Sequence, residues 1–171
     1  MPVTGSSIAA SVAGLLSSAK DLGNATINYP VSRAVTFDPG TGAGQVDRIF
    51  ADTRTLTASS SEDLDLSGAM VDDLGGAFVL ARIRGILISA AAANVNNVLI
   101  GGVTNGLASF LTPAATGIIT LRPGAFVALG CGQLDATGYV VTAATADLLH
   151  VANSGAGTSV TYDVIIIGAS V

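Results

Sequence analysis

Tryptophan is absent from this sequence, and cysteine and histidine occur once each, as Cys131 and His150. A single cysteine excludes an intrachain disulfide and a thiolate metal cluster. A single histidine excludes most metal centres and any histidine dyad. Cys131 lies between two glycines with no basic residue beside it, the setting of a small buried hydrophobe rather than a nucleophile. His150 sits between Leu149 and Val151 and so faces away from them, as a surface or hydrogen-bonded histidine. Basic residues are scarce: seven Lys and Arg stand singly against twelve acids, for a net charge of −5. With no basic patch, nucleic-acid binding is not expected. No uninterrupted apolar run reaches the ~18 residues of a membrane span, and no membrane association is expected. The first 23 residues lack a basic segment and their apolar part is broken by serines, so they do not read as a signal peptide.

Catalytic motifs are missing too. No serine stands in a Gly-x-Ser-x-Gly elbow. The glycine-rich stretch Asp38-Pro-Gly-Thr-Gly-Ala-Gly has no Gly-Lys-Ser/Thr ending, so it reads as a turn-rich loop and not a phosphate cradle. Asp63, Asp65, Asp72 and Asp73 supply carboxylates, but their spacing matches no known calcium loop. Their first reading is a solvated face that keeps an edge strand from pairing with strangers. We therefore expect no enzyme, no catalytic residue, no metal and no cofactor.

Charge itself is sparse. Only 11% of residues are charged, whereas the surface of a lone soluble domain is about a quarter or more charged. The surface is therefore expected to meet copies of the same chain or a larger assembly. Half the residues are apolar and mean hydropathy is +0.64, which argues against disorder. Twenty-one glycines and many Ser, Thr and Asn residues punctuate short apolar runs, the pattern of an antiparallel sandwich or barrel. In the last run Val160, Tyr162, Val164 and Ile166 alternate with Ser159, Thr161 and Asp163. Ile165 and Ile167 then make the second face apolar as well, which predicts a central strand whose end is buried on both sides. Leu64 and Leu66 alternate with Asp63 and Asp65 in a half-exposed strand. Phe78–Ala92 is ambiguous: its length allows a helix, while Gly85 and the Ile/Val content favour a strand. As a strand it needs a bulge near Ala81 and Arg82 to bring Phe78 and Leu80 onto one face with Ile83, Gly85 and Leu87, leaving Arg84 outward to pair with a carboxylate. Ile118–Leu129 reads as a hairpin about a type II turn at Pro123-Gly124, and the closing strand as the hairpin partner of 147–153. The fold class expected is all-β: an antiparallel sandwich, read as a jelly roll.

The N-terminal part reads differently. Ser6 or Ser7 caps a short helix with Ile8, Val12, Leu15 and Leu16 on one face and Gly23 just beyond its end. An extended segment follows from Thr26 to Phe37, where Pro30 restricts it to an edge or an arm. The expected organisation is a helix and arm over residues 1–45 and a β-sandwich over 46–171. Ile8, Val12, Leu15, Leu16 and Pro30 are the candidate interaction residues.

The order of several segments is also familiar: Gly42-Ala-Gly-Gln-Val-Asp-Arg-Ile-Phe-Ala-Asp-Thr-Arg-Thr-Leu, Glu62-Asp-Leu-Asp-Leu-Ser-Gly, Ala81-Arg-Ile-Arg-Gly-Ile, Arg122-Pro-Gly-Ala-Phe, Ala146-Asp-Leu-Leu-His-Val-Ala-Asn and Val160-Thr-Tyr-Asp-Val-Ile-Ile-Ile-Gly. Over most of the chain after about Gly40 this resembles a family of small virion structural proteins of tailed bacteriophages. The resemblance implies a virion component and, by analogy with jelly-roll cement proteins, a capsid decoration protein. It would be a homo-oligomer, trimer or dimer, bound to the major capsid protein on the outer surface of the head after assembly in the host cytoplasm. The alternative is a tail or fibre accessory module that binds host-surface glycans. The resemblance carries over no catalytic residue.

Overall fold

The protein is described by a computed structural model covering residues 3–68 and 70–171. Among the described residues there are fourteen strands and no helix. In chain order they are β1 (Ser6–Lys20), β2 (Gly23–Pro39), β3 (Gln45–Val46), β4 (Arg48–Leu56), β5 (Ser61–Asp65), β6 (Met70–Val71) and β7 (Ala77–Phe78). The second half adds β8 (Arg82–Ala90), β9 (Val98–Gly101), β10 (Ile118–Leu121), β11 (Phe126–Gly130), β12 (Tyr139–Val140), β13 (Leu148–Asn153) and β14 (Val160–Ala169).

Two antiparallel sheets share one core. One has the order β10-β9-β13-β5; the other has the order β11-β8-β14-β4, with β12 beside the start of β8. The core draws Leu64, Val98, Ile100, Leu149 and Val151 from the first and Ile86, Ile88, Tyr162, Val164 and Ile166 from the second, in one continuous sandwich-like cluster. Each large side chain so buried contributes about 1.5–3 kcal/mol. The alternation of β14 sets its register: Val160, Tyr162, Val164 and Ile166 point inward, while β8 and β4 flank it on both edges. The expected central strand is therefore present. Its second face is covered at only one end, for Ile167 is buried and Ile165 is 44% exposed.

Chain order and sheet order diverge at the turns. Pro123 and Gly124 do form a turn, with Ala125 N–H donating to Arg122 O at 2.8 Å and Gly124 at φ 76°. The strands on either side are not hairpin partners: β10 pairs with β9, and β11 pairs with β8 in the other sheet. The turn is a corner between sheets. The same holds for β13 and β14, which pair with different neighbours. The segment between β9 and β10 folds back under the core, where Leu107 and Leu111 are buried.

The bulge lies two residues beyond its expected place. Ile167 faces Gly85 and Gly168 faces Ile83, so Arg84 is the extra residue. The kink places Ile83, Ile86 and Ile88 on one face, all three in the core; the expected set of Ile83, Gly85 and Leu87 is not what forms, for Leu87 lies on the outer face opposite Ile165. Arg84 does not point outward to a carboxylate. It is fully buried, and its guanidinium donates to the carbonyl oxygens of Asp135 (2.5 Å), Gly42 (2.9 Å) and Ala136 (3.2 Å). It pins two loops to the bulged strand.

The largest departure is at the N-terminus. No helix forms over residues 6–23; β1 and β2 pair without a break from Ser6↔Phe37 to Lys20↔Gly23. Ile8, Val12 and Leu16 satisfy a period of two as well as they satisfy a helical one; Leu15 alone favours the helix. Five serines and Gly14 within β1 are weak helix formers. Across from them β2 alternates, with Ala25, Ile27, Tyr29, Val31, Val35 and Phe37 at odd positions, interrupted by Arg33. A strand of that pattern selects a strand as its partner. Pro30 is accommodated as expected of an edge, because β2 pairs on one side only along this stretch.

Candidate interaction surface

Pairing assigns every arm residue to a face, because directly opposed residues share one and neighbours alternate. One face carries Ile8/Val35, Ala10/Arg33, Val12/Val31, Gly14/Tyr29, Leu16/Ile27 and Ser18/Ala25. The other carries Ala9/Ala34, Ser11/Ser32, Ala13/Pro30, Leu15/Asn28 and Ser17/Thr26. The first face is apolar and the second is small and polar. Of the five candidate residues, the arm gathers Ile8, Val12 and Leu16 on the apolar face and leaves Leu15 and Pro30 on the opposite one. Ile27, Tyr29 and Val31 complete the apolar face. They were missing from the sequence-based set, although their alternation from Ala25 to Phe37 carries the signal.

The base of this face is anchored. Phe37, Val46 and Ile167 form a second small core, with Val3, Ile8, Val35 and Ile49 packed against it. Glycines make room for the contact: a Cβ on Gly130 would lie 2.6 Å from Ile8 Cγ2, and one on Gly85 would lie 3.4 Å from Ile8 Cδ1. Beyond the base no described residue covers the arm. Val12, Leu16, Ile27, Tyr29 and Val31 are each 50–74% exposed. The free stretch from Ala10 to Lys20 is about 34 Å long at the ~3.4 Å rise of an antiparallel strand. Leu22 at the tip is fully exposed, in the two-residue loop closed by Gly23 at φ 135°. On the body, the apolar surface continues over the outer face of the β14 sheet. There Ala51, Ile165, Leu87 and Ala128 form one row across four strands, with Phe126 exposed beside it.

Several polar side chains of the body are occupied with structure. Arg54 donates through Nε (2.8 Å) and Nη2 (2.5 Å) to Glu62 and through Nη1 to Asp52 (2.7 Å), which holds its pKa above the ordinary value. Its hydrogen bond to Glu62 is the main cause. The Tyr162 hydroxyl donates to the other Glu62 oxygen at 2.9 Å. Burial first, and the Glu62 charge second, push the Tyr162 pKa up. This cluster ties β4 to β5, the edge strands of the two sheets. His150 pairs with Asp63 directly across from it, at 2.5 Å. The Asp72 carboxylate accepts the N–H groups of Leu74 and Gly76, and the Asp135 carboxylate those of Thr137 and Gly138. These backbone donors lower both pKa values. Cys131 is buried, which raises its thiol pKa. The four suspected calcium ligands do not converge: Asp65 accepts from Ser67, Asp72 closes its own turn, and Asp63 holds His150. Among the described residues no three His, Cys, Asp or Glu side chains are grouped to hold a metal ion.

Comparison with protein-family models, curated proteins and solved structures gave no match.

Proposed function

We propose that the protein is a structural component of a tailed-bacteriophage virion, a jelly-roll decoration protein that binds the outside of the assembled head. The observation that carries this reading is the strand order. The eight long strands of the body run β10-β9-β13-β5 and β11-β8-β14-β4. Every sequential connection except β9 to β10 therefore crosses from one sheet to the other, as two interlocked Greek keys require. The projecting apolar arm and the low charge supply the contact area such a role needs. The mechanism is mass action: a protein that binds only the assembled shell stabilises it by RT ln(1 + [L]/Kd), about 2.7 kcal/mol per site at one hundred times Kd. No chemistry is involved, and no residue is assigned a catalytic role.

Copy number tests the reading. Virions purified from the host that carries the gene are resolved by gel electrophoresis, and the band is measured against the major capsid protein. Hundreds of copies per particle are expected. A few copies would favour a tail or fibre module that meets host glycans, and absence from the particle would refute a virion role.

A further inference from the structure

A strand edge exposes unpaired N–H and C=O groups, and proteins blunt such edges with charge, proline, a bulge or a covering segment. The body has four edges. On one side lie β4 and β5, tied by Arg54 and Glu62; on the other lie β10 and β11, joined at the Pro123-Gly124 corner. The first side is guarded, for β4 and β5 hold Arg48, Asp52, Arg54, Glu62, Asp63 and Asp65. β10 and β11 hold no charged residue and no proline. Of these two, β11 opens and closes on exposed residues, Phe126 and Gly130, and Phe126 is 67% exposed.

The direction of its free groups is fixed by the bonds at either end. Ala90 N–H donates to Ala125 O at 2.9 Å, and Cys131 N–H donates to Arg84 O at 2.8 Å. The register with β8 between them is unbroken. Odd residues of β11 therefore bond to β8, and Phe126, Ala128 and Gly130 turn their N–H and C=O groups to the open side. These three donors and three acceptors meet no partner among the described residues.

The edge is complementary to itself. Antiparallel pairing about a two-fold axis between Ala128 and the partner's Ala128 sets Phe126 opposite the partner's Gly130. All six free groups of each strand are then bonded, and no charges are opposed. On the inner face Val127 meets the partner's Leu129; both are half-buried at the rim of the core. On the outer face Phe126 comes beside the partner's Ile8, which lies over Gly130. The arms leave room for this. Val3, Thr4 and Gly5 line one cavity with Arg48 and Ile49 of β4, and Ile8 reaches Gly130 of β11, so β1 crosses the outer face and leaves it over the β11 edge. The two Gly130 positions would stand four residues apart along the strands, ~14 Å, and a two-stranded ribbon is ~10 Å wide, so the arm bases pass side by side.

We propose that the open edge of β11 pairs antiparallel with β11 of a second copy of this chain, so that β4-β14-β8-β11 runs on into the same four strands of the partner as one sheet. This goes beyond the virion reading and does not depend on it, since it concerns the free protein in solution.

The test is the mass of the full chain by analytical ultracentrifugation across a concentration series, with hydrogen exchange on the same samples. A species of twice the chain's 16.8 kDa is expected. As it forms, the amides of Phe126, Ala128 and Gly130 are expected to gain protection, while those of Val127 and Leu129, already bonded to β8, stay unchanged. Ala128→Pro removes the central outward N–H, a change that the open side of an edge strand tolerates. It is expected to give a monomer with an unchanged far-UV spectrum. If Ala128→Pro loses its β spectrum, Phe126→Lys at an exposed site replaces it, and is expected to weaken dimerisation at least tenfold. Leu74→Ser, an exposed apolar site beside β4, is expected to keep the dimer. Three results would each overturn the proposal: a wild-type monomer throughout the series, a dimer weakened as much by Leu74→Ser as by the β11 variants, or a dimer that survives the β11 variants but is lost in Val31→Glu, which would move the contact to the arm.

Discussion

Arg84 offers the sharpest test of how the body is held together. Its guanidinium is fully buried and its three acceptors are all main-chain oxygens, in the loops at Gly42 and at Asp135–Ala136. Consider Arg84→Met, which keeps most of the apolar stem and removes every donor. Three charge-assisted hydrogen bonds at about 1.5–3 kcal/mol each are lost. Several kcal/mol of desolvation cost for the buried cation are recovered at the same time. The difference, with carbonyl groups left facing an apolar side chain, is a net destabilisation of about 3 kcal/mol, the low end of what removing one partner of a buried charged contact costs. For a domain of this size each kcal/mol lowers Tm by about 2–4 °C, so a drop of roughly 9 °C is expected. Differential scanning calorimetry measures it. Hydrogen exchange adds the location, with faster exchange at residues 40–44 and 132–138 before any change in β13. Arg84→Lys keeps the charge but cannot fork between two loops, and it should recover less than half of the loss. A change in Tm under ~2 °C for Arg84→Met, or uniform exchange in both loops and β13, would refute the view that this side chain is the pin.

Three further expectations follow from other contacts. The Tyr162 pKa is raised in the folded state by burial and by Glu62, so its stabilisation is complete below the ordinary phenol value of 10 and is lost as pH rises beyond it. Alkaline unfolding above pH 10 should therefore be blunted in Tyr162→Phe, and an unchanged alkaline limb would count against the buried contact with Glu62. Asp135 has the opposite sign: its pKa is depressed by the Gly138 and Thr137 N–H groups, so its contribution is present above 3.8 and lost as pH falls through the depressed value. In acid titrations followed by NMR, the amide shifts of Thr137 and Gly138 should move below pH 3.8 in the native chain and be pH-independent in Asp135→Asn. Gly130→Val places side-chain atoms where Ile8 now packs, which should lift the base of the arm and make residues 6–37 the first site of limited proteolysis, while the remainder keeps its β spectrum.

The body was largely legible because its strands alternate cleanly and bury one parity. Leu64 and Leu66, Val98 and Ile100, and the even positions of β14 all carry the signal that burial later uses. Sheet membership was not legible. Pro123-Gly124 makes the same turn whether the chain returns to its neighbour or crosses to the facing sheet, because turn chemistry fixes the local bend and not the partner. Arg84 was misplaced for a related reason. A bulge can sit anywhere that restores parity, and only the opposed Gly85 and Ile167 decide where. In the arm, a single residue misled the reading. Leu15 extends the Ile8, Val12, Leu16 series into a helical stripe, yet it ends up opposite Asn28 on the polar side. The decisive information lay in the partner strand, 11 to 27 residues away for these four positions, and no local window on β1 contains it. Within the candidate interaction set, Ile8, Val12 and Leu16 share the apolar face, and Leu15 and Pro30 lie on the other.

The position of β14 between β8 and β4 also sets an order of events on the ribosome. Both flanking strands emerge long before the strand that joins them, and β4 must wait for a partner more than a hundred residues downstream. Closing so wide a loop is slow compared with pairing neighbours. The β1–β2 hairpin, in contrast, needs only its own two-residue connection to pair, but its base at Ile8 rests on Gly85, Gly130 and Ile167, which are made later, and a two-stranded hairpin alone is marginal. The arm is therefore the first element able to pair and among the last to be fastened.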